Sequence, residues 1–146
     1  KLYYNLNTTG PVLSPFDSYL LLRGLKTLAL RMERSTQNAQ EVVAFLKQSP
    51  AVKEVLYPGK GGMISFKVMD EGKIPHLLNS LKVFTFAESL GGVESLITYP
   101  TTQTHADIPV EVRHSYGLTD DLLRLSIGIE DSRDLVDDLR AALENE

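Results

Sequence analysis

Asp121-Leu122-Leu123-Arg124-Leu125-Ser126-Ile127-Gly128-Ile129-Glu130-Asp131 is the stretch whose reading decides the fold. Most of it alternates with period two. Leu123, Leu125 and Ile127 fall on one face, and Leu122, Arg124 and Ser126 on the other, which is the pattern of a strand. It then runs into an acidic helix start at Glu130-Asp131-Ser132. An arginine inside an apolar strand must be solvated or paired, because an unpaired buried charge is costly. Two readings are open. The guanidinium is half of a structural ion pair with one of the nearby acids, or it is a planar fork, fixed by the strand, for the carboxylate of a ligand.

Outward from this strand, Leu135, Leu139 and Leu143, with Val136 and Ala142 beside them, predict a helix over 132–144. Further strands are expected at 52–56, 63–68 and 83–87, the central one at 122–128, and further helices at 74–81 and 109–116. Ser14-Pro15 opens a long helical signal that lasts to Ser49-Pro50. Unbroken, it would span about 50 Å at roughly 1.5 Å per residue. Gly24 inside it costs about 1 kcal/mol against Ala, for close packing or for a kink. Residues Lys1 to Leu13 show no helical period and read as extended, with a turn at Thr8-Thr9-Gly10-Pro11. The sum is an α+β two-layer sandwich: a four-stranded, mostly antiparallel sheet with helices on one face, preceded by a long helix. Residues 1–50 would form an N-terminal extended segment and connecting helix, and 51–146 a small α+β domain.

The 146 residues carry 15 Lys and Arg against 19 Asp and Glu, and the net charge of −4 argues against a nucleic-acid surface. No apolar run approaches a membrane span, no signal-peptide pattern is present, and the cytosol is the default compartment. Cysteine is absent, which excludes disulfides, thiolate catalysis and Cys-ligated metal. His105 and Asp107, with no other His nearby in sequence, make a weak metal case. Gly59-Lys60-Gly61-Gly62 lacks the ending of a phosphate-binding loop and precedes a strand, so it reads as a turn.

Arg124 to Asp131, Ala87-Glu88-Ser89-Leu90-Gly91-Gly92-Val93-Glu94-Ser95-Leu96, and Leu22-Arg23-Gly24-Leu25-Lys26-Thr27-Leu28-Ala29-Leu30-Arg31-Met32 are three long blocks in order. Together they resemble the C-terminal part of the cystathionine γ-synthase, γ-lyase and β-lyase family of pyridoxal phosphate (PLP) enzymes. The resemblance covers essentially the whole chain. It implies the small C-terminal domain of a fold type I PLP enzyme, with the long helix joining two domains. The Schiff-base lysine and the phosphate-binding groups would lie on a large N-terminal domain. A start at Lys1-Leu2-Tyr3-Tyr4 without Met reads the same way, as a cut chain. Many members carry a longer insert where this chain passes from Gly59 through Lys60 to Gly61.

By motif, Arg124 matches the arginine that binds the substrate α-carboxylate. Ser89 matches a serine facing that carboxylate and the lysine, Glu88 a position tied to substrate choice, and Thr104 a substrate-side position. No catalytic residue, cofactor ligand or metal ligand is assigned, and neither Lys26 nor Lys60 falls in a cofactor-lysine motif. Glu88 within Ala-Glu-Ser-Leu-Gly-Gly, with Tyr99-Pro100-Thr101-Thr102-Gln103-Thr104-His105-Ala106-Asp107, looks most like a bacterial γ-synthase type. The β- and γ-lyases share much of the pattern, and a non-catalytic α+β binding module is the alternative from a different class. The implied substrates are an O-acyl-homoserine, cysteine or cystathionine, and the implied assembly is a homo-oligomer, tetrameric when intact. The cofactor acts as an electron sink and would be bound mainly elsewhere. Expressed alone, this chain should therefore be inactive and hold no PLP on a lysine; a lysine-linked chromophore mapped to it by peptide mass would overturn that expectation.

Overall fold

The computed structural model describes residues 1–144 and divides into two compact units, Lys1–Leu30 and Arg31–Glu146. The first unit holds α1 (Leu2–Thr9) and α2 (Pro15–Leu25). α1 replaces the expected extended segment. It closes on Gly10, whose left-handed φ of 62° lets its N–H reach the Leu6 carbonyl at 2.9 Å. No residue of α1 is buried. No apolar stripe had to repeat in the sequence, so the period that announces a helix is missing. α2 starts as expected: Ser14 Oγ accepts the Asp17 N–H at 3.1 Å, and Pro15 sits in the first turn. The apolar side chains of both helices are open, Leu2 at 87% exposure and Phe16 at 68%.

The long helix is not continuous. α2 ends at Leu25, and α3 (Leu28–Gln48) begins after a turn at Lys26-Thr27. The Thr27 N–H closes back on the Gly24 carbonyl at 3.3 Å. Among the described residues nothing lies within 4 Å of the place a Gly24 Cβ would occupy, and the helix breaks two residues later.

The second unit is a mixed five-stranded sheet with α3, α4 (Ile74–Ser80) and α6 (Ser132–Glu144) packed on one face. Its strands are β1 (Val52–Leu56), β2 (Met63–Val68), β3 (Thr85–Phe86), β4 (Leu96–Thr98) and β5 (Leu122–Ser126), in the order β1-β2-β5-β4-β3. The broad α+β class holds; the four-stranded, mostly antiparallel sheet does not. β4 is an additional strand, and it pairs in parallel with β3, while the other neighbours are antiparallel. All three residues of β4 are buried, so it lacks the in/out alternation that marks a strand in sequence. β3 is two residues long, shorter than the 83–87 expectation, and β5 stops at Ser126. α5 (Val110–Ser115) lies close to its expected place.

Strand register separates the two faces. Ile64 pairs with Leu125, Phe66 with Leu123, and Ile97 with Leu125. These side chains form one core with Val42 and Leu46 of α3, Leu77 of α4, and Leu135 and Leu139 of α6. The other face carries Ser65, Arg124 and Thr98 as one cross-strand row, and Met63, Ser126 and Leu96 as the next. Asp138 on α6 anchors the segment before β3. Its carboxylate accepts the backbone N–H groups of Lys82 and Val83, each at 2.8 Å, and of Phe84 at 3.0 Å. Replacing Asp138→Ala strands these donors and is expected to lower the unfolding free energy by about 3 kcal/mol. Denaturant melts check this; a change inside about 0.5 kcal/mol, the range of an ordinary surface substitution, would sink it.

Candidate functional site

The polar face of β5 holds the site. Arg124, half-buried, stands between Ser65 of β2 and Thr98 of β4. Its Nη2 donates to the Glu88 carbonyl at 3.1 Å and to Thr98 Oγ1 at 3.2 Å. No carboxylate lies within ion-pair distance of Arg124 among the described residues. Four of the nearby acids have other partners. Asp120 faces Arg113 at 3.7 Å and His114 at 3.4 Å, and Asp121 takes Lys53 at 3.1 Å. Asp131 takes Arg133 at 3.1 Å, and Glu130 takes Ser95. Among the described residues the structural ion pair that the sequence left open is not formed, and Nη1 and Nε of the fork are without a hydrogen-bond partner.

These commitments show in the titration of the flanking acids. Burial works to raise the Asp121 carboxyl, but hydrogen bonds from Thr119 and Lys53, with the charges of Lys53 and Lys67, bring it below its ordinary value. Hydrogen bonds from the Arg133 side chain and then its backbone N–H hold Asp131 at about 2.

The loop 87–95 covers the row beside Arg124 and is fastened at several points to the chain that follows β5. Gly91 N–H donates to Ser126 Oγ at 2.9 Å. Ile129 N–H donates to the Val93 carbonyl at 2.9 Å. Glu130 accepts the Ser95 N–H at 2.6 Å and the Ser95 hydroxyl at 2.8 Å, and Ser95 Oγ in turn accepts the Gly128 N–H at 2.9 Å. Position 128 must be glycine for this approach, since a Cβ there would run into the Val93 carbonyl and the Glu130 carboxylate. On the other side, the Glu130 carbonyl accepts from Arg34 at 3.1 Å and from Asn38 at 2.9 Å, both on α3.

Of the four residues singled out by resemblance, Glu88 meets Arg124, and it does so through its backbone carbonyl. Ser89 follows it, exposed at the start of the loop. Thr104, also exposed, shares a 2.7 Å hydrogen bond with His105 Nδ1 and none with Arg124. The loop carrying Thr104 is tied to the approach to β5 by Arg113, which is buried and donates to the Thr101 carbonyl at 3.3 Å, and by Tyr99, whose hydroxyl donates to the Asp120 carbonyl at 2.7 Å. His105 and Asp107 join no group of three potential metal ligands among the described residues. Thr98, Ser95, Ser126 and Glu130 were not singled out as site residues. Period-two alternation already put Ser126 on the Arg124 face, and that signal could have found it. Thr98 meets Arg124 only because β4 and β5 pair, for which the sequence carries no local sign.

The sequence profile of Cys/Met metabolism PLP-dependent enzymes matches residues 1–144. This chain belongs to that family. It is 55% identical over 145 residues to cystathionine gamma-synthase of Haemophilus influenzae, covering 99% of this chain and 39% of that protein. To cystathionine gamma-lyase of Bacillus subtilis it is 48% identical over 161 residues, covering 99% and 42%. Cystathionine gamma synthase of Xanthomonas oryzae pv. oryzae, solved in complex with aminoacrylate and cysteine, superposes with a TM-score of 0.89 at 41% identity over 94% of this chain and 40% of that one. The chain thus spans about two fifths of the length of these members of the family.

Members of this PLP-dependent family use a group that drains electron density from carbon beside an amino nitrogen. The Gly-rich turn is spent on structure, with the Gly61 N–H on Thr36 Oγ1 at 3.1 Å and the Gly62 carbonyl accepting from Ile127 at 2.8 Å. Lys67, on the Arg124 face, pairs with Glu54 at 3.4 Å, and Lys60 is exposed in the turn. What the described residues supply is a cation with open donors beside a fastened loop, suited to a carboxylate. Glu130→Ala removes the acceptor at the foot of that loop. Amide exchange at Ser95 and Gly128 should then rise about tenfold or more while β2 stays protected. Unchanged exchange at both positions, read by NMR, would show that Glu130 is not the fastening.

Proposed function

We propose that this chain forms the substrate-binding side of a PLP-dependent transsulfuration enzyme of the cystathionine γ-synthase type. The reaction replaces the acyloxy group of an O-acyl-homoserine by cysteine. The Cγ–O bond breaks, a Cγ–S bond forms, and the thiol proton leaves with the released carboxylic acid. Arg124 holds the substrate α-carboxylate, Ser89 stands beside that carboxylate at the loop start, Glu88 selects the side chain, and Thr104 lines the substrate side. The enzyme is a cytosolic homo-oligomer, and the open apolar side chains of α1 and α2 supply a surface for assembly.

The observation that carries this reading is the Arg124 guanidinium. It is held in place by two neutral acceptors and left without a carboxylate, although acids crowd the surrounding segments. A structural arginine would have taken one of them.

Length supports the synthase type over the lyases. Alignment with the Haemophilus γ-synthase takes 145 positions for 99% of this chain, whereas the Bacillus γ-lyase takes 161 for the same share. The γ-lyase therefore carries extra residues that this chain and the γ-synthase lack.

In the full-length enzyme, Arg124→Ala is expected to lower kcat/KM for O-acyl-homoserine by roughly two decades or more, about 3 kcal/mol, with bound PLP absorbance retained. Unchanged kinetics with only a fall in melting temperature would return Arg124 to a structural role. With wild-type enzyme, cystathionine should form from O-acyl-homoserine and cysteine faster than cystathionine is cleaved. The reverse order would assign a lyase.

A further inference from the structure

We infer that Thr98 is the positioning residue that aims the Arg124 guanidinium, an assignment that rests on the reading of Arg124 as the carboxylate fork. Thr98 is only 1% exposed, and its hydroxyl donates its single proton to the Ala87 carbonyl at 2.7 Å. With the proton spent there, a lone pair faces Arg124 Nη2 at 3.2 Å. A hydroxyl without that tie could rotate its proton toward the cation and repel it. The Ala87 carbonyl therefore sets the polarity of Thr98, and Thr98 sets the direction of Arg124.

The second Nη2 contact is of a different kind. The Glu88 carbonyl accepts from the same nitrogen at 3.1 Å, so two acceptors stand against its two hydrogens. A carboxylate gripping a guanidinium by two parallel bonds uses an Nη2 hydrogen in either planar arrangement, together with Nη1 or Nε. One acceptor must give way when substrate binds. The Glu88 carbonyl belongs to an exposed residue at the start of a loop, while the Thr98 hydroxyl belongs to a buried strand. The Glu88 carbonyl is thus a placeholder for a carboxylate oxygen, and Thr98 remains as the anchor in both states.

The test uses full-length enzyme with O-acetyl-homoserine varied at saturating cysteine. Thr98→Val keeps the side-chain shape and removes the acceptor. It should raise KM about tenfold, the loss of one hydrogen bond to a charged group, with kcat within about threefold. Thr98→Ser restores the hydroxyl and should return KM toward wild type. In an Arg124→Ala background, Thr98→Val should add no further loss. Three results would overturn the inference: Thr98→Val with unchanged KM, Thr98→Ser behaving like Thr98→Val, or full additivity with Arg124→Ala, which would mark a packing role. If Arg124→Ala itself leaves KM unchanged, the fork reading falls first and takes Thr98 with it. If Arg124→Ala raises KM and Thr98→Val does not, only the Thr98 assignment falls.

Discussion

The carboxylate of Glu130 is the contact on which the site depends. It holds both the backbone N–H and the hydroxyl of Ser95, at the point where the chain enters β4. From that entry β4 runs on to pair with β5, and this pairing brings Thr98 to Arg124. The Glu130 carbonyl is gripped from α3 by Arg34 and Asn38, so the same residue ties the helical layer to the polar face of the sheet. Charge-assisted hydrogen bonds of this kind are short and directional. They can hold a loop that buries little apolar surface.

The two sheet faces have different physical tasks. One is a close-packed apolar layer, with Leu123, Leu125 and Phe66 fully buried against helices. It supplies the burial that stabilises the unit. The other face carries Ser65, Arg124 and Thr98 in one row, and it needs the rigidity of the first. A guanidinium is useful as a fork only if its plane is fixed, and β5 at the middle of the sheet fixes the backbone from which it projects. The parallel β3–β4 pair extends the sheet past β4, and the loop between those strands lies beside Arg124.

α1 and α2 present the opposite situation. Their apolar residues lie open, and neither helix buries a residue. Secondary structure is present without a core of its own. Local hydrogen bonds such as the Ser14 cap set where α2 begins, but they are worth about 1 kcal/mol each and do not anchor a helix. The chain spans about two fifths of the length of these relatives.

The sequence by itself determined the elements that repeat a pattern. The alternation of β5, the stripe of α6, and the strands 52–56 and 63–68 were legible because their apolar residues recur at a fixed period, and the start of α2 because Ser14 caps it. The family was legible in contiguous motifs. Tertiary structure alone decided what has no period. α1 buries nothing, and β4 is buried on every residue, so neither alternates. Whether Arg124 paired with an acid was likewise beyond local reading, because Asp121 lies three positions away and still turns to Lys53 on β1. The partners of Arg124, Glu130 and Asp138 lie far along the chain, and such contacts exist only once the strands and helices have packed.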